Sequence, residues 1–286
     1  MNKHRSRNTF SEVALHKTEK QLQEERKTLK ETEENLRQEK SFVFDLIHEL
    51  KKINQRIDVN VEQANNALST IIDSDNNSSE YVESAYTLLE NTCKSIESLS
   101  SLSNLRMELY EYLTSPDVFL CMEPRRIPIY KKFEKIYKSI NGGNDNSVKS
   151  FKLSGNSFGR FSSPQILQIA IFIILENAWK YSPSSKDIII NFSESNSTLT
   201  VDIINWGPVV QPSEINALTQ RGYRGIAAQK ETNIEGKGLG LSIAEDIFKN
   251  CNVEMIINTE DGVPEWCGGR LCAPFHVKLI FDPILN

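Results

Sequence analysis

Hydrophobic residues recur every seven positions through the first quarter of the chain. One heptad position carries Leu15, Leu22, Leu29, Leu36, Val43, Leu50, Ile57, Ala64 and Ile71. The companion position, three residues later, is polar at first and mostly apolar afterwards, with Thr18, Glu25, Thr32, Glu39, Leu46, Ile53, Asn60 and Ala67. Half-polar seams make weak coiled coils, whereas seams that are apolar at both positions support bundles. The pattern predicts a marginal dimeric coiled coil within residues 1–40, with a solvated single helix as the alternative, and a sturdier bundle after it.

A second amphipathic helix is predicted after the turn-forming residues 73–79. The residues of its apolar stripe recur at intervals of three and four positions: Val82, Ala85, Leu88, Leu89, Thr92, Ile96, Leu99, Leu102 and Leu105. Two helices joined by a short polar loop form an antiparallel hairpin, which covers its apolar stripe by dimerising into a four-helix bundle. We therefore expect a hairpin domain over residues 41–115, with Pro116 at its exit.

Residues 116–286 have the mixed pattern of an α/β domain. Helices are predicted at 129–140, 165–180 and 240–250, and strands at 187–192, 199–204, 253–258 and 275–281. Such a mixture predicts an α/β sandwich with helices on one face of a sheet. The expected fold class is thus α plus α/β: a coiled coil, a helical hairpin and a sandwich domain.

The composition of the chain indicates which partners and which cellular compartment to expect. The 286 residues carry a net charge of −5, which disfavours nucleic acid as a partner. The longest apolar run, 166–175, is about half of the roughly 20 residues that span a bilayer, so no membrane insertion is expected. The five cysteines form no C-x-x-C pair, which fits a reduced, cytoplasmic protein.

His48 is the first candidate for chemistry. It falls on the sixth heptad position, which points away from the seam, so its imidazole should be exposed. An exposed imidazole is partly unprotonated near neutral pH and nucleophilic. The neighbouring Glu49 is placed to orient the ring or to accept its proton. A lone exposed histidine is more often an ordinary surface residue.

Two further strings are candidates for binding a phosphorylated ligand. Residues 175–183 read Leu-Glu-Asn-Ala-Trp-Lys-Tyr-Ser-Pro, in which an asparagine interrupts an apolar helix; the plain alternative is a buried polar group satisfied by backbone. Residues 236–244 are glycine-rich and open into a helix pattern, so backbone N–H groups and the helix dipole would face an anion.

Together these strings resemble a known family. Residues 44–51, Phe-Asp-Leu-Ile-His-Glu-Leu-Lys, are similar to the H-box of bacterial sensor histidine kinases. Residues 175–183 and 236–244 resemble the N-box and the last glycine box of the GHKL ATPase superfamily, in the expected order. The resemblance spans roughly residues 41–281.

The resemblance implies a set of site residues. It makes His48 the phosphate acceptor with Glu49 beside it, and Asn177 the ligand of Mg²⁺. Residues 210–235 would form a flexible lid, from which Arg224 is the preferred arginine to reach the γ-phosphate of ATP. The remaining nucleotide-binding residues implied are Glu176, Lys180, Tyr181, Asn205, Gly207, Gly236, Lys237, Gly238, Leu239, Gly240 and Leu241.

Two positions depart from the family pattern. Asn205 stands where the family's adenine-binding aspartate is expected; its amide keeps an acceptor oxygen but lacks the charge. Lys52 and Ile53 replace the polar residue and proline that are linked to phosphatase activity, so that activity is not expected.

The resemblance implies an ATP-dependent protein-histidine kinase. It would phosphorylate itself on His48 with Mg-ATP and pass the phosphate to an aspartate of a separate response regulator, as a homodimer through the hairpin and the coiled coil. The input is open: a change of helix register, an upstream sensor protein docking on residues 1–40, or a sensor region that precedes this sequence. Two alternatives also stay open, a non-catalytic coiled-coil adaptor with a degenerate nucleotide domain, and a GHKL ATPase acting as a conformational clamp.

Overall fold

A computed structural model describes residues 3–72, 79–142, 149–230, 236–259 and 263–285. The predicted hairpin turn at 73–79 therefore lies almost wholly outside the described residues, as does the end of the predicted lid at 231–235. The chain divides into two compact units, residues 1–45 and 46–286. Helix α1, Lys3–Ile72, contributes to both.

The first unit is the N-terminal part of α1. The heptad leucines in it stay open to solvent, with exposed fractions of 48% for Leu22, 60% for Leu29 and 50% for Leu36. An uncovered leucine seam is what a helix presents when its coiled-coil partner is a second chain. Pairing of two chains along this seam stays a prediction.

The second unit begins with the rest of α1 and with α2, Ser79–Thr114. The companion heptad position is the buried one here, since Leu46 is 2% and Ile53 4% exposed. Asn60, also on this position, is buried, and its Nδ2 donates to Ser95 Oγ on α2 at 3.2 Å. The two helices thus pack through a mostly apolar stripe with one polar pair.

A short connecting region leads into the α/β domain. Pro116, whose missing N–H suits a first helical position, opens α3, Pro116–Leu120. Strand β1, Arg125–Pro128, follows and pairs antiparallel with β3, Arg160–Ser163. Strand β9, Ile284–Leu285, adds to the other side of β3 and completes a small three-stranded sheet.

The main sheet has six strands. Its order is β2-β4-β5-β8-β6, with β7 pairing β8 beside that path. The strands are β2 Phe151–Ser154, β4 Ile188–Ser195, β5 Thr198–Pro208, β6 Val253–Asn258, β7 Glu265–Cys267 and β8 Arg270–Phe281. Strands β2 and β4 are parallel, and the other pairs are antiparallel.

Helices cover one face of this sheet. They are α4 Ile129–Gly142, α5 Leu167–Tyr181 and α7 Gly240–Asn250. Val201 on β5 and Leu279 on β8 are fully buried on the helix side, whereas Ile189 and Ile256 on the other side are 42% and 40% exposed. The predicted fold class, long helices followed by an α/β sandwich, is confirmed.

The remaining elements lie in the region predicted to be a lid. They are a 3-10 helix, Pro212–Ala217, and α6, Ile226–Gln229. None of the helices in the described ranges has the length and apolar character needed to cross a membrane. All five cysteines are free thiols.

Candidate functional site

His48 lies on α1 with its side chain exposed, as the heptad count predicts. Glu49 follows it and forms an ion pair with Lys52 one turn on, with 3.3 Å between Oε1 and Nζ. Both members of this pair are open to solvent, at 42% and 54% exposed, so the pair orients Glu49 without burying it. The carboxylate of Glu49 therefore pairs with Lys52 at the surface of α1, in the turn that follows His48.

The last turn of α5 carries the second predicted string. The helix is buried through Leu175 and becomes partly exposed at Glu176 and Asn177. It ends where Ser182 turns to extended backbone at ψ 135°. Lys149 then caps the helix: its ammonium donates to the carbonyl oxygens of Trp179 and, at 2.8 Å, of Ser182. A cation at a helix C-terminus satisfies carbonyls that have no partner within the helix.

The glycine-rich loop packs directly on that turn. A Cβ at Gly240 would lie 3.3 Å from Asn177 Nδ2, and one at Gly236 would lie 3.5 Å from both Lys180 Nζ and Tyr181 Oη. A side chain at Gly240 would be tight against Asn177, whereas one at Gly236 would make ordinary van der Waals contact with Lys180 and Tyr181. The structure thus brings together five residues predicted from two strings about 60 positions apart, Asn177, Lys180, Tyr181, Gly236 and Gly240.

The third predicted string lies beside them at the end of β5. Asn205 is only 4% exposed, and its Nδ2 donates to the carbonyl of Trp206 at 3.3 Å. A Cβ at Gly207 would be 3.6 Å from Asn205 Nδ2 and 3.7 Å from Tyr181 Cβ. Tyr181 therefore lies between Gly207 of β5 and Gly236 of the glycine loop.

The remaining predicted loop residues have different surroundings. Leu239 is 3% exposed and its carbonyl accepts from Ser242 Oγ at 2.9 Å and Ile243 N at 3.0 Å. Its side chain belongs to the core, so any part it takes in binding falls to its backbone. Lys237 and Leu241, on either side, are partly exposed.

A cluster of charges joins the hairpin to this surface. Arg106 on α2 forms an ion pair with Glu176, and the two side chains are 15% and 28% exposed. The pKa of Lys180 lies below its ordinary value, chiefly because the ammonium loses hydration. Arg224 and Arg106 lower the same pKa further, while Glu176 and Glu49 raise it. Two arginines and two carboxylates, from α1, α2, α5 and the lid region, therefore act on Lys180, and the three cations of this set suit a polyanionic ligand.

Two members of the site region were missed by the sequence predictions. Arg106 gives no local signal, because its partner Glu176 is 70 residues away. Glu214, in the 3-10 helix, is buried and accepts three hydrogen bonds. A signal for it exists in the sequence: Pro212 followed two residues later by a glutamate is typical of a helix start, where the glutamate caps the first turn.

The side chains at the end of α5 could supply one oxygen ligand for Mg²⁺, the amide oxygen of Asn177. Nowhere in the described ranges do three or more His, Cys, Asp or Glu side chains gather into a metal-binding group. Mg²⁺ commonly takes one or two protein oxygens and fills its other positions with water and nucleotide phosphate. A Cβ at Gly240 would lie 3.7 Å from Asn177 Oδ1, so the glycine keeps a side chain away from the amide oxygen that could serve as such a ligand.

Comparison with known proteins agrees with this picture. Residues 162–278 match the family described as histidine kinase-, DNA gyrase B-, and HSP90-like ATPases. Sensor histidine kinase Hik2 of Thermosynechococcus vestitus is 28% identical over 115 residues, which are 40% of this chain and 29% of Hik2. Sensor histidine kinase CusS of Escherichia coli K12 is 20% identical over 152 residues, 53% of this chain and 32% of CusS.

Two solved structures are also similar over part of the chain. The mycobacterial sensor histidine kinase MprB covers 56% of this chain and 99% of its own, with 17% identity and a TM-score of 0.44. Full-length ShkA in complex with AMPPNP covers 82% of this chain and 46% of its own, with 11% identity and a TM-score of 0.45.

The similarity to this ATPase family thus lies within the α/β part of the chain, from β3 to β8. The curated relatives that the chain matches over part of its length include sensor histidine kinases. It spans about a fifth to a third of the length of the curated relatives it matches.

Proposed function

We propose that the chain is an ATP-dependent protein-histidine kinase that phosphorylates itself on His48. Residues 1–40 act as the signalling coiled coil, residues 41–115 as the dimerising hairpin that carries His48, and residues 116–286 as the ATP-binding domain. The phosphate then passes to an aspartate of a separate response regulator. Signals enter through residues 1–40.

ATP occupies the surface between β5, the end of α5 and the glycine loop. Asn205 accepts a hydrogen bond from the adenine amino group, and Gly207 with Tyr181 leaves room for the base. Backbone N–H groups of residues 236–241 face the phosphates at the start of α7. Lys180 and Arg224 supply positive charge, Arg224 toward the γ-phosphate. Asn177 holds Mg²⁺, which, when bound, neutralises part of the phosphate charge.

The transfer step uses the unprotonated ring nitrogen of His48. Its lone pair attacks the γ-phosphorus, a P–N bond forms, and the bond from the γ-phosphorus to the bridging oxygen breaks. ADP leaves with the electron pair of that bond. Glu49 orients the ring and accepts its remaining proton as the phosphate arrives. Phosphoryl transfer of this kind depends chiefly on positioning and on electrostatic stabilisation.

The observation that carries the proposal is the ion pair between the hairpin and the end of α5. Arg106 on α2 pairs with Glu176, next to Asn177, and the glycine loop packs on the same turn at Gly236 and Gly240. The hairpin that carries His48 therefore contacts the turn that we propose to hold Mg-ATP. An isolated adaptor hairpin has no need of such an arrangement.

The test is labelling of the purified chain with γ-labelled ATP and Mg²⁺. We expect label on the wild-type protein and none on His48→Gln, with ATP binding retained. His276→Gln is the matched control: His276 lies on β8, where its Nε2 is 2.7 Å from Asp202, and its replacement should leave labelling intact. Acid-labile label on His48→Gln refutes the assignment.

The same experiment separates the alternatives. Steady ATP hydrolysis without a labelled protein would favour a GHKL ATPase that acts as a clamp. Absence of both label and hydrolysis, with a folded dimer, would favour the adaptor.

A further inference from the structure

Glu214 is a buried carboxylate that accepts three hydrogen bonds. It is 5% exposed and lies in the 3-10 helix Pro212–Ala217. Its Oε2 accepts from the backbone N–H of Gln211 at 3.0 Å. Its Oε1 accepts from Tyr223 Oη and from the backbone N–H of Ile226, both at 2.8 Å.

The two carboxylate oxygens of Glu214 bind different parts of the chain. The bond from Gln211 closes a capping box at the start of the 3-10 helix, a local role. The donors to Oε1 lie nine and twelve residues further along the chain and contribute nothing to that cap. Burial raises the pKa of Glu214, but the three donated bonds lower it more, so the pKa lies below its ordinary value and the group is a carboxylate at neutral pH.

The segment held by Oε1 is fastened in turn to the glycine loop. The N–H of Gly222 donates to the carbonyl of Gly238 at 3.1 Å. Gly238 has φ +69°, and a Cβ there would overlap the carbonyl oxygen of Tyr223. The backbones of the two segments are therefore in direct contact, and Tyr223 takes part in both the bond to Glu214 and the contact with Gly238.

Arg224 lies between the two residues that donate to Glu214. The carbonyl of Arg224 accepts from Gln229 Nε2 at 2.6 Å, which adds a second constraint on its backbone. Its charge acts on Lys180 at the end of α5. One buried carboxylate thus controls the placement of Arg224 and of the backbone that supports Gly238.

We propose that Glu214 is a positioning residue for the phosphates of the nucleotide. By holding residues 222–226 against Gly238, it sets the glycine loop and Arg224 in the geometry that receives the phosphate chain before the ligand arrives. Such prior ordering increases affinity because less conformational freedom is lost on binding. The inference rests on the proposed ATP site. It concerns the phosphates rather than the adenine, since Asn205 and Gly207, which we propose to contact the adenine, lie on β5 and outside the segment that Glu214 holds.

The test compares binding of Mg-ATP and of adenosine to the full chain by titration calorimetry. Glu214→Gln keeps the size of the side chain but removes its charge and presents an N–H₂ group to the donors. We expect the Kd for Mg-ATP to rise about tenfold or more, the range of a lost charge-assisted hydrogen bond, and the Kd for adenosine to change little. The matched control is Glu254→Gln, a change of an exposed glutamate on β6, which should change neither.

Tyr223→Phe provides a second, milder variant if Glu214→Gln fails to fold. It removes one donor and leaves the backbone bonds to Glu214, so we expect a few-fold rise in the Kd for Mg-ATP, again without a change for adenosine. Equal losses for ATP and adenosine, or no loss for either, overturn the positioning role. A wild-type chain that binds Mg-ATP but leaves His48 unlabelled refutes the proposed kinase and leaves the Glu214 comparison valid.

Discussion

Lys149 provides a quantitative test of how the end of α5 is held. Its ammonium donates to the carbonyls of Trp179 and Ser182 and lies 4.9 Å from the centre of the Trp179 ring. Burial, with a smaller contribution from Arg270, lowers its pKa from 10.5 to about 8. Since the folded-state pKa is below the unfolded one, the unfolded chain binds more protons between about pH 8 and pH 10.5. Stability should therefore rise with pH across that window.

The size of the change in stability follows from the same fall in the pKa of Lys149. The pKa falls from 10.5 to about 8, and each pKa unit corresponds to about 1.36 kcal/mol. The free energy of unfolding should therefore rise by about 3.4 kcal/mol over the whole window. About 2 kcal/mol of this falls between about pH 7.5 and pH 9.5. Because the ammonium is only partly shielded, solvent screening reduces the expected gain to about 1 kcal/mol in that interval.

The assay is guanidinium unfolding followed by tryptophan fluorescence, in reducing buffer, at several pH values from about 7.5 to 9.5. Lys149→Met keeps the apolar stem over Trp179 and removes the titrating group. We expect the free energy of unfolding of the wild type to rise by about 1 kcal/mol relative to Lys149→Met as pH increases. Lys152→Met, at a side chain 64% exposed on β2, is the control and should follow the wild type. Parallel pH profiles of the wild type and Lys149→Met would refute the reasoning.

Further predictions concern the glycine loop and the link between hairpin and ATP domain. Gly238→Ala should weaken Mg-ATP binding about tenfold or more, because its Cβ would overlap the Tyr223 carbonyl; Gly268→Ala, also at positive φ but in open space, should leave binding unchanged, and equal affinities would contradict the contact argument. Arg106→Met leaves Glu176 partly buried without that partner and should lower the free energy of unfolding by about 1–3 kcal/mol. Adding Glu176→Met should restore part of that loss, and a single variant as stable as the wild type would show that the ion pair contributes nothing.

Much of the α/β domain was predictable because its long elements have clear patterns. The predicted bounds 240–250 and 253–258 agree with α7 and β6, where a glycine-led amphipathic helix is followed by a short turn. Strands β4 and β5 lie where strands were predicted, at 187–192 and 199–204, and they pair antiparallel, although β5 runs on to Pro208. Strand β8 begins at Arg270, five residues before the predicted start, because Gly268 and Gly269 form a tight turn with β7.

The short strands could not be predicted, because a stretch of four residues carries no readable alternation. Strands β1 and β3 exist through pairing between Arg125 and Ser163 and their neighbours, a long-range interaction. In the candidate site, too, local sequence motifs could be predicted and long-range contacts could not. Asn177 and the glycine loop could be predicted from local strings, whereas Arg106 depends on a partner 70 residues away.

The most direct test of the central claim is to locate the phosphate itself. The full chain is incubated with Mg-ATP, digested at alkaline pH, and its peptides are mapped by mass spectrometry before and after brief acid treatment. We predict one phosphorylated peptide, containing His48, whose phosphate survives alkali and is lost in acid, as expected of a phosphohistidine. Phosphate that is stable in acid, or that resides on a peptide without His48, would contradict the assignment of this chain as a kinase acting on His48.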